Sequence, residues 1–484
     1  MDQTSFGAIG SGYWIRFHHM QARACTVAGF VGLLTGCVET ARVLTETPSD
    51  AKLAIRNGGH QRYFSAESPG PASPGPSSFA TERPLSPAAS YSEDYWTALA
   101  ELDLTALRNA ARSEPEIGFA EGIALLAAGD QEKAESTFVA MTRQATDVNV
   151  AAASQIMLAT TLLYERKWTT LRDLSINSGP GLASPQNRSD LERWGKAFAS
   201  VDPQMTTLPE KPVTLPLRIT ALGTPAVRVR INGKEYEFWL DTGSSMTVLS
   251  SNVASDAGIP ILSPDTLSIR TWAGAAPVRP GAVKRMNIGP IVFANIPAIV
   301  MDASLMRLRA NAEGVRGGGL RVDGIIGWDI IRQLDVVMDY QSATITFRRP
   351  ERLGTNGTAF QNLVWVGKPL VQVRAKHGGR LRFALDTGAQ ASFLNASILE
   401  RVGVATRASE AIVFGVARTG GRTNRVAPVL TLDVGGKSLR LESVIVYGPV
   451  SSGMINCDGI LGSDIARFGK IRIDATNGLF SVGE

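Results

Sequence analysis

Histidine and cysteine are scarce in this chain of 484 residues: four of the first and three of the second. Cys25, Cys37 and Cys457 are too few, and too unevenly spaced, for a disulfide framework or a zinc site. Two of the four histidines, His18 and His19, are adjacent near the start, so a His-built metal centre lacks material and no cofactor is expected. A Ser-His-Asp triad is equally hard to assemble. No Walker-type phosphate loop, Gly-x-Ser-x-Gly elbow or zinc-protease His-Glu pair occurs. Charge is thin as well, with 49 Lys and Arg against 44 Asp and Glu, a net of +5. Without a long run of one sign, nothing points to a nucleic-acid groove, and no nucleic-acid partner is expected. No apolar run reaches the ~20 residues of a membrane span, and no collagen or coiled-coil period runs through the chain. Against these absences stands a hydrophobic fraction of 44%. That is enough for large cores, and the length suggests about three domains at roughly 150 residues each.

The longest apolar stretch, about residues 24–36, follows Arg23 and has the length of a signal-peptide core. It ends in Leu34-Thr35-Gly36-Cys37, which resembles the bacterial lipobox. On that resemblance residues 1–36 are a lipoprotein-type signal, with Met20 an alternative start, and Cys37 is lipidated. Val38 after it resembles the sorting position of Gram-negative outer-membrane lipoproteins. The implied location is the cell envelope, on the outer membrane facing the periplasm. The plain alternative is that Leu34 to Cys37 closes a buried helix. Residues 37–92 contain a stretch dense in Ser, Pro and Gly, which reads as an extended tether.

Residues 93–200 are helical in pattern. Gly122, Leu125, Gly129, Ala134 and Phe138 fall at the spacing of a tetratricopeptide repeat, with small residues facing large ones. Residues 148–174 match the repeat poorly, so a generic helical hairpin bundle stands beside that reading. Repeat surfaces of this kind commonly hold peptides, which makes a protein partner on the helical region a candidate.

From Pro212 onward the texture becomes short alternating strands. Val227, Val229 and Ile231 alternate, Asn232-Gly233 turns, and Tyr236, Phe238 and Leu240 alternate again. The same pattern recurs in Val371, Val373 and Ala375, then Gly378-Gly379, then Leu381, Phe383 and Leu385. Both hairpins run into the same tripeptide: Asp241-Thr242-Gly243-Ser244 and Asp386-Thr387-Gly388-Ala389. Across residues 238–250 and 383–395, six positions are identical. A second pair follows, residues 322–331 (VDGIIGWDII) and 457–466 (CDGILGSDIA), again with six identities. Ten residues beyond the last Asp of each stands another, Asp339 and Asp474.

These residues resemble the active-site signature of retropepsin-like and pepsin-like aspartic proteases, with two retropepsin-type units in one chain. The resemblance implies a multidomain α and β chain: a helical region, then two mostly-β lobes (213–350 and 360–484) in a pseudo-twofold bilobal acid-protease fold. Asp241 and Asp386 are the implied catalytic pair of an endopeptidase acting on protein or peptide substrates. Like charges that close cannot both ionise, so the pair would share one proton. Thr242 and Thr387 are expected to hydrogen-bond across the lobes, and Gly243 and Gly388 to leave room for close approach. Ile325-Ile326-Gly327 and Ile460-Leu461-Gly462 match the hydrophobic-hydrophobic-Gly motif that packs beneath each loop. Ser244 could donate its hydroxyl to Asp241 where Ala389 has none to give Asp386, which would make Asp386 the more readily protonated member. Flap tips are placed near Trp272 and Gly274, and near Phe414 and Gly415, with buried strand-end aromatics as the alternative. The long insertion from Met301 to Val322 is read as an irregular loop at the cleft edge. Two other functions fit the same residues: a non-catalytic peptide binder, or an assembly lipoprotein whose helical region does the binding.

Overall fold

The computed structural model describes residues 91–177, 185–271, 274–308, 320–352, 361–375, 379–415, 418–447, 450–451 and 454–483. The expectations for the signal segment, Cys37, the tether and Trp272 lie outside these residues, as do residues 309–319 of the Met301 to Val322 insertion.

Among the described residues seven helices come first: α1 (Tyr91–Ala100), α2 (Leu104–Ala110), α3 (Glu114–Ala127), α4 (Gln131–Gln144), α5 (Val148–Glu165), α6 (Trp168–Asn177) and α7 (Pro185–Phe198). Their starts are set by side chains that take up orphan N–H groups. Asp103, Asp130 and Asp147 cap α2, α4 and α5, and Ser113 with Glu116 forms a reciprocal capping box on α3. Small faces large between α3 and α4: a Cβ on Gly122 would lie 2.5 Å from the Phe138 ring. At Gly195 the same test meets the backbone of Trp168 and Arg172 at 2.8 and 2.7 Å, so α7 lies directly on α6. Among the described residues no helix is long and apolar enough to cross a membrane.

Two β-barrel lobes follow, as the resemblance implied. In the first, Pro225–Ile231 and Lys234–Leu240 form a hairpin whose two-residue turn, Asn232 at φ 49° and Gly233 at φ 84°, has the geometry that matches strand twist. Alternation sends Val227, Val229 and Ile231 into the lobe core and leaves Arg228 and Arg230 outside. The sheet folds back on itself because Gly274–Ile288 pairs with both Pro225–Ile231 and Ile291–Met301. In the second lobe Pro369–Ala375 and Arg380–Leu385 repeat the hairpin, and Pro369–Ala375 also pairs with Arg418–Val434.

A five-stranded sheet joins the lobes, in the order Val213–Pro216, Thr344–Arg348, Asp335–Asp339, Lys470–Asp474, Leu479–Val482. Its central pair is symmetric: Asp335 stands opposite Asp474 and Asp339 opposite Lys470. The two aspartates that close each sequence repeat therefore sit on adjoining strands. Asp339 accepts N–H groups of Gln341 and Ser342, and Asp474 accepts those of Asn477, so each ties down the turn that follows it.

Candidate active site

Each Asp-Thr-Gly loop begins where its strand is clamped by a later one. Gly324–Ile326 lies parallel to Phe238–Leu240 and antiparallel to the Val248–Leu249 pair, filling the space between the strands that enter and leave the first loop. Gly459–Leu461 does the same in the second lobe. Asp241 N–H donates to Ile326 O at 3.0 Å, and Asp386 N–H to Leu461 O at 3.0 Å. The chain then turns on its own carboxylate. Asp241 Oδ1 accepts N–H from Gly243 (2.8 Å) and Ser244 (3.1 Å), and Asp386 Oδ1 accepts from Gly388 and Ala389, both at 2.9 Å.

Below the loops, Trp328 N–H donates to Ser244 O and Ser463 N–H to Ala389 O, each at 2.6 Å. No Cβ fits at Gly327 or Gly462, where it would come within 2.5 Å of backbone at Met246 and Ala391. Each of these glycine segments therefore lies directly against its own Asp-Thr-Gly loop.

The loops interlock. Thr242 Oγ1 donates to Leu385 O (2.8 Å) and accepts Thr387 N–H (3.0 Å), while Thr387 Oγ1 donates to Leu240 O (2.7 Å) and accepts Thr242 N–H (3.1 Å). A Cβ on Gly243 would stand 2.5 Å from Asp386 Cγ, and one on Gly388 would stand 2.4 Å from Asp241 Cγ. Asp241 and Asp386, 145 residues apart in the chain, are therefore buried side by side across the lobe boundary, 0% and 3% exposed.

Ser244 departs from expectation. Its hydroxyl proton goes to Met246 O at 2.8 Å, and it reaches Asp241 through its backbone N–H, as Ala389 reaches Asp386. The hydroxyl turns inward because a main-chain carbonyl two residues on competes for it. The Ser/Ala difference consequently does not distinguish the two carboxylates.

The flap candidates fall on hairpins. Leu267–Thr271 pairs with Gly274–Ile288, Thr271 opposite Gly274, and Arg407–Gly415 pairs with Arg418–Val434, Gly415 opposite Arg418. Gly274, Phe414 and Gly415 thus stand at the turn ends of the two hairpins that connect motif to motif.

Sequence reasoning left three parts of the site unassigned. Asp329 accepts the Thr247 hydroxyl at 3.1 Å, and Asp464 accepts the Ser392 hydroxyl at 2.6 Å. Each hydroxyl lies six residues past its loop aspartate, a spacing visible in both repeats. Burial pushes the carboxyls of Asp329 and Asp464 above the ordinary range, against these hydroxyl bonds and the nearby arginines. The second part comes from the helical region. Arg166, in the left-handed conformation (φ 60°) at the α5–α6 elbow, donates to Asp329 O, and Arg332 donates to Tyr164 O while lying 3.4 Å over its ring. Tyr164 in turn meets Trp365 of the second lobe, ring centroids 3.9 Å apart. Third, Glu101, between α1 and α2, takes hydrogen bonds from Arg382, which is paired with buried Asp458. The contacts of Arg166, Arg332, Tyr164 and Glu101 have no local sequence signal, because each joins residues far apart in the chain.

Compared with known proteins, two stretches of the chain, 227–330 and 371–465, match the family model described as aspartyl protease. Together they span less than half of the chain. The aspartic proteinase from Irpex lacteus matches at 13% identity and a TM-score of 0.36, over 56% of this chain and 98% of that one. A retropepsin-like aspartic protease from Rickettsia conorii matches at 15% identity and a TM-score of 0.19, over 30% of this chain and 93% of that one. No curated protein matches.

Proposed function

We propose that the chain is an aspartic endopeptidase in which Asp241 and Asp386 form the catalytic dyad. The observation that carries the reading is the reciprocal seating of each carboxyl carbon against the glycine of the other Asp-Thr-Gly loop. The match of both stretches to the aspartyl protease family supports it. Two carboxylates held this close retain a single shared proton. The ionised member takes a proton from a bound water as it attacks the peptide carbonyl, and the protonated member donates to the carbonyl oxygen. Expelling the amine with a returned proton completes hydrolysis without a covalent enzyme intermediate. The backbone N–H groups on the Oδ1 atoms and the threonine interlock fix the carboxylates before substrate arrives, so little reorganisation accompanies the reaction. We further propose that the enzyme is held in the bacterial cell envelope through a lipid on Cys37.

The deciding assay is cleavage of casein and of a peptide library by the full chain between pH 3 and pH 7. Asp241→Asn and Asp386→Asn should each lower kcat/KM by at least a thousandfold while thermal unfolding stays close to that of the parent. An Asp386→Asn protein that loses activity beside an Asp241→Asn protein that keeps it would refute the dyad. Mass spectrometry of the membrane-extracted N-terminus tests the anchor; an unmodified Cys37 removes it.

A further inference from the structure

Two adjacent residues grip the first Asp-Thr-Gly loop from beneath. Trp328 N–H donates to Ser244 O at 2.6 Å, and Ser244 N–H donates in turn to Asp241 Oδ1 at 3.1 Å. Asp329 accepts the Thr247 hydroxyl on both carboxylate oxygens, each at 3.1 Å. The loop is thus held three and six residues after its aspartate, at two neighbouring points of one short helical turn, Trp328–Ile331. Fixing Asp329 therefore fixes both grips.

That residue is fastened from outside its own lobe. Arg166 of the helical region donates through Nη2 to Asp329 O, and the same nitrogen lies 4.0 Å from Asp329 Oδ2. The two side chains are 14% and 6% exposed, so solvent screens the pair little. Arg332, three residues beyond Asp329, donates in the opposite direction to Tyr164 O and lies 3.4 Å from the centre of its ring. Each side thereby gives an arginine to a main-chain carbonyl of the other. Arg166 has φ 60° and ψ 33°, a left-handed conformation that disfavours any residue with a Cβ and that glycine ordinarily fills at a helix end. Glycine would make the turn but supply no guanidinium, so the side chain is what this position contributes.

The second lobe is built differently at the equivalent place. Asp464 matches Asp329 in the repeat and accepts the Ser392 hydroxyl, but the cation near it is Arg467 of its own segment. No group of the helical region bonds to Asp464 among the described residues. The first loop has its support completed by another domain, and the second by its own lobe.

We infer that Arg166 is a positioning residue for Asp241, which makes the helical region a working part of the catalytic unit. The inference rests on the peptidase reading for its catalytic meaning. Arg166 acts through Asp329 on Ser244 and Thr247, and its planar fork meets a carbonyl and a carboxylate together, which a lysine ammonium cannot match. A loosened grip misaligns one carboxylate against the other, and turnover suffers more than substrate binding.

The test compares the full-length parent with Arg166→Met and Arg166→Lys by hydrogen exchange and mass spectrometry over residues 241–247 and 386–392. Arg166→Met is expected to speed exchange in the first segment about tenfold and to leave the second within about twofold of the parent. On a peptide substrate its kcat should fall about tenfold, the size of one hydrogen bond to a charged group, with KM changed less than about twofold. Arg166→Lys should fall between the two on both readouts, and it carries the comparison alone if Arg166→Met does not fold. Arg382→Met, which cuts the helical region's contact with the second lobe, is the control for general loosening and should leave residues 241–247 at parent rates. Equal loosening of both loops by an Arg166 variant, or a first loop loosened with kcat unchanged, overturns the positioning role. Selective loosening of residues 241–247 in a chain that cleaves nothing upholds the clamp and sinks the peptidase. Cleavage by the parent beside a first loop that Arg166→Met leaves protected does the reverse.

Discussion

Gly243 lies flush against Asp386: a Cβ added there would come within 2.5 Å of the carboxyl carbon. The contact is steric and not conformational, because neither Gly243 nor Gly388 has a positive φ. Alanine at either position must push the opposite carboxylate aside or part the lobes. Gly243→Ala and Gly388→Ala are each expected to lower peptide cleavage at least a hundredfold and to cost about 1–3 kcal/mol in urea unfolding, as overpacking does. Gly233→Ala is the contrast. Its φ is 84° and nothing lies within 4 Å, so it should show backbone strain of about 1–2 kcal/mol with activity kept.

The threonine interlock predicts non-additive losses. Valine is close in shape to threonine but lacks the hydroxyl, so Thr242→Val strands Leu385 O and Thr387 N–H in a buried site. Each single variant is expected to cost about 2–3 kcal/mol, the penalty for buried groups left unpaired. In the Thr242→Val/Thr387→Val double variant the four bonds vanish together. Urea unfolding of the cycle should return a coupling of at least about 0.5 kcal/mol, whereas strict additivity would mean the lobes are held by other contacts.

Most of this site was legible in the sequence because it is written twice. A period-2 strand ending in Asp-Thr-Gly, with a hydrophobic-hydrophobic-Gly segment that ends 84 residues after Gly243 at Gly327 and 74 after Gly388 at Gly462, gives topology as well as chemistry. The first hairpin of each lobe followed from the same alternation, and the candidate flap tips from the resemblance. The direction of a hydroxyl was not legible: Ser244 has Asp241 and Met246 O both within reach, and only the fold decides that the carbonyl wins. Nor could Arg166 or Glu101 be foreseen as neighbours of the lobes. Their partners, Asp329 and Arg382, lie 163 and 281 residues away, and nothing in local pattern encodes a docking angle between separate domains.

The buried aspartates under the loops give a pH signature. Burial raises the carboxyls of Asp329 and Asp464 above the ordinary range, so the folded protein holds those protons more tightly than the unfolded chain. A raised carboxyl adds stability that is complete below the unfolded value of about 3.9 and is lost as pH climbs through the folded value. Arg166, pushed down to about 10 by its own burial, stays charged throughout that window. Urea unfolding of the parent relative to Asp329→Asn, and relative to Asp464→Asn, should therefore favour the parent most near pH 4 and progressively less toward pH 8. A difference that grows with pH would mean that Arg166 or the hydroxyl bonds outweigh burial.

The Glu101 contact predicts which charges fasten the helical region. Arg382 is 7% exposed and donates through Nε and Nη2 to Asp458 Oδ2, at 3.2 and 3.0 Å, and Asp458 is itself 4% exposed. Glu101 and Arg401, which complete the cluster, are 37% and 41% exposed and lie where water screens them. Truncating the buried cation leaves the buried Asp458 with only the half-exposed Arg401 as its partner, so Arg382→Met should cost on the order of 3 kcal/mol. Glu101→Gln removes only a screened partner and should cost less than about 1 kcal/mol. Adding Asp458→Asn to Arg382→Met should recover part of the loss, because the buried charge that has lost its buried partner is then gone. If Glu101→Gln proves the more damaging change, or if molar salt erases the Arg382→Met effect, the cluster behaves as a surface ion pair and the helical region is held by its apolar contacts alone. Paired chemical-denaturation curves at 0.1 M and 1 M salt decide between the two, since the Debye length falls from about 10 Å to 3 Å over that range while a desolvated pair is little affected.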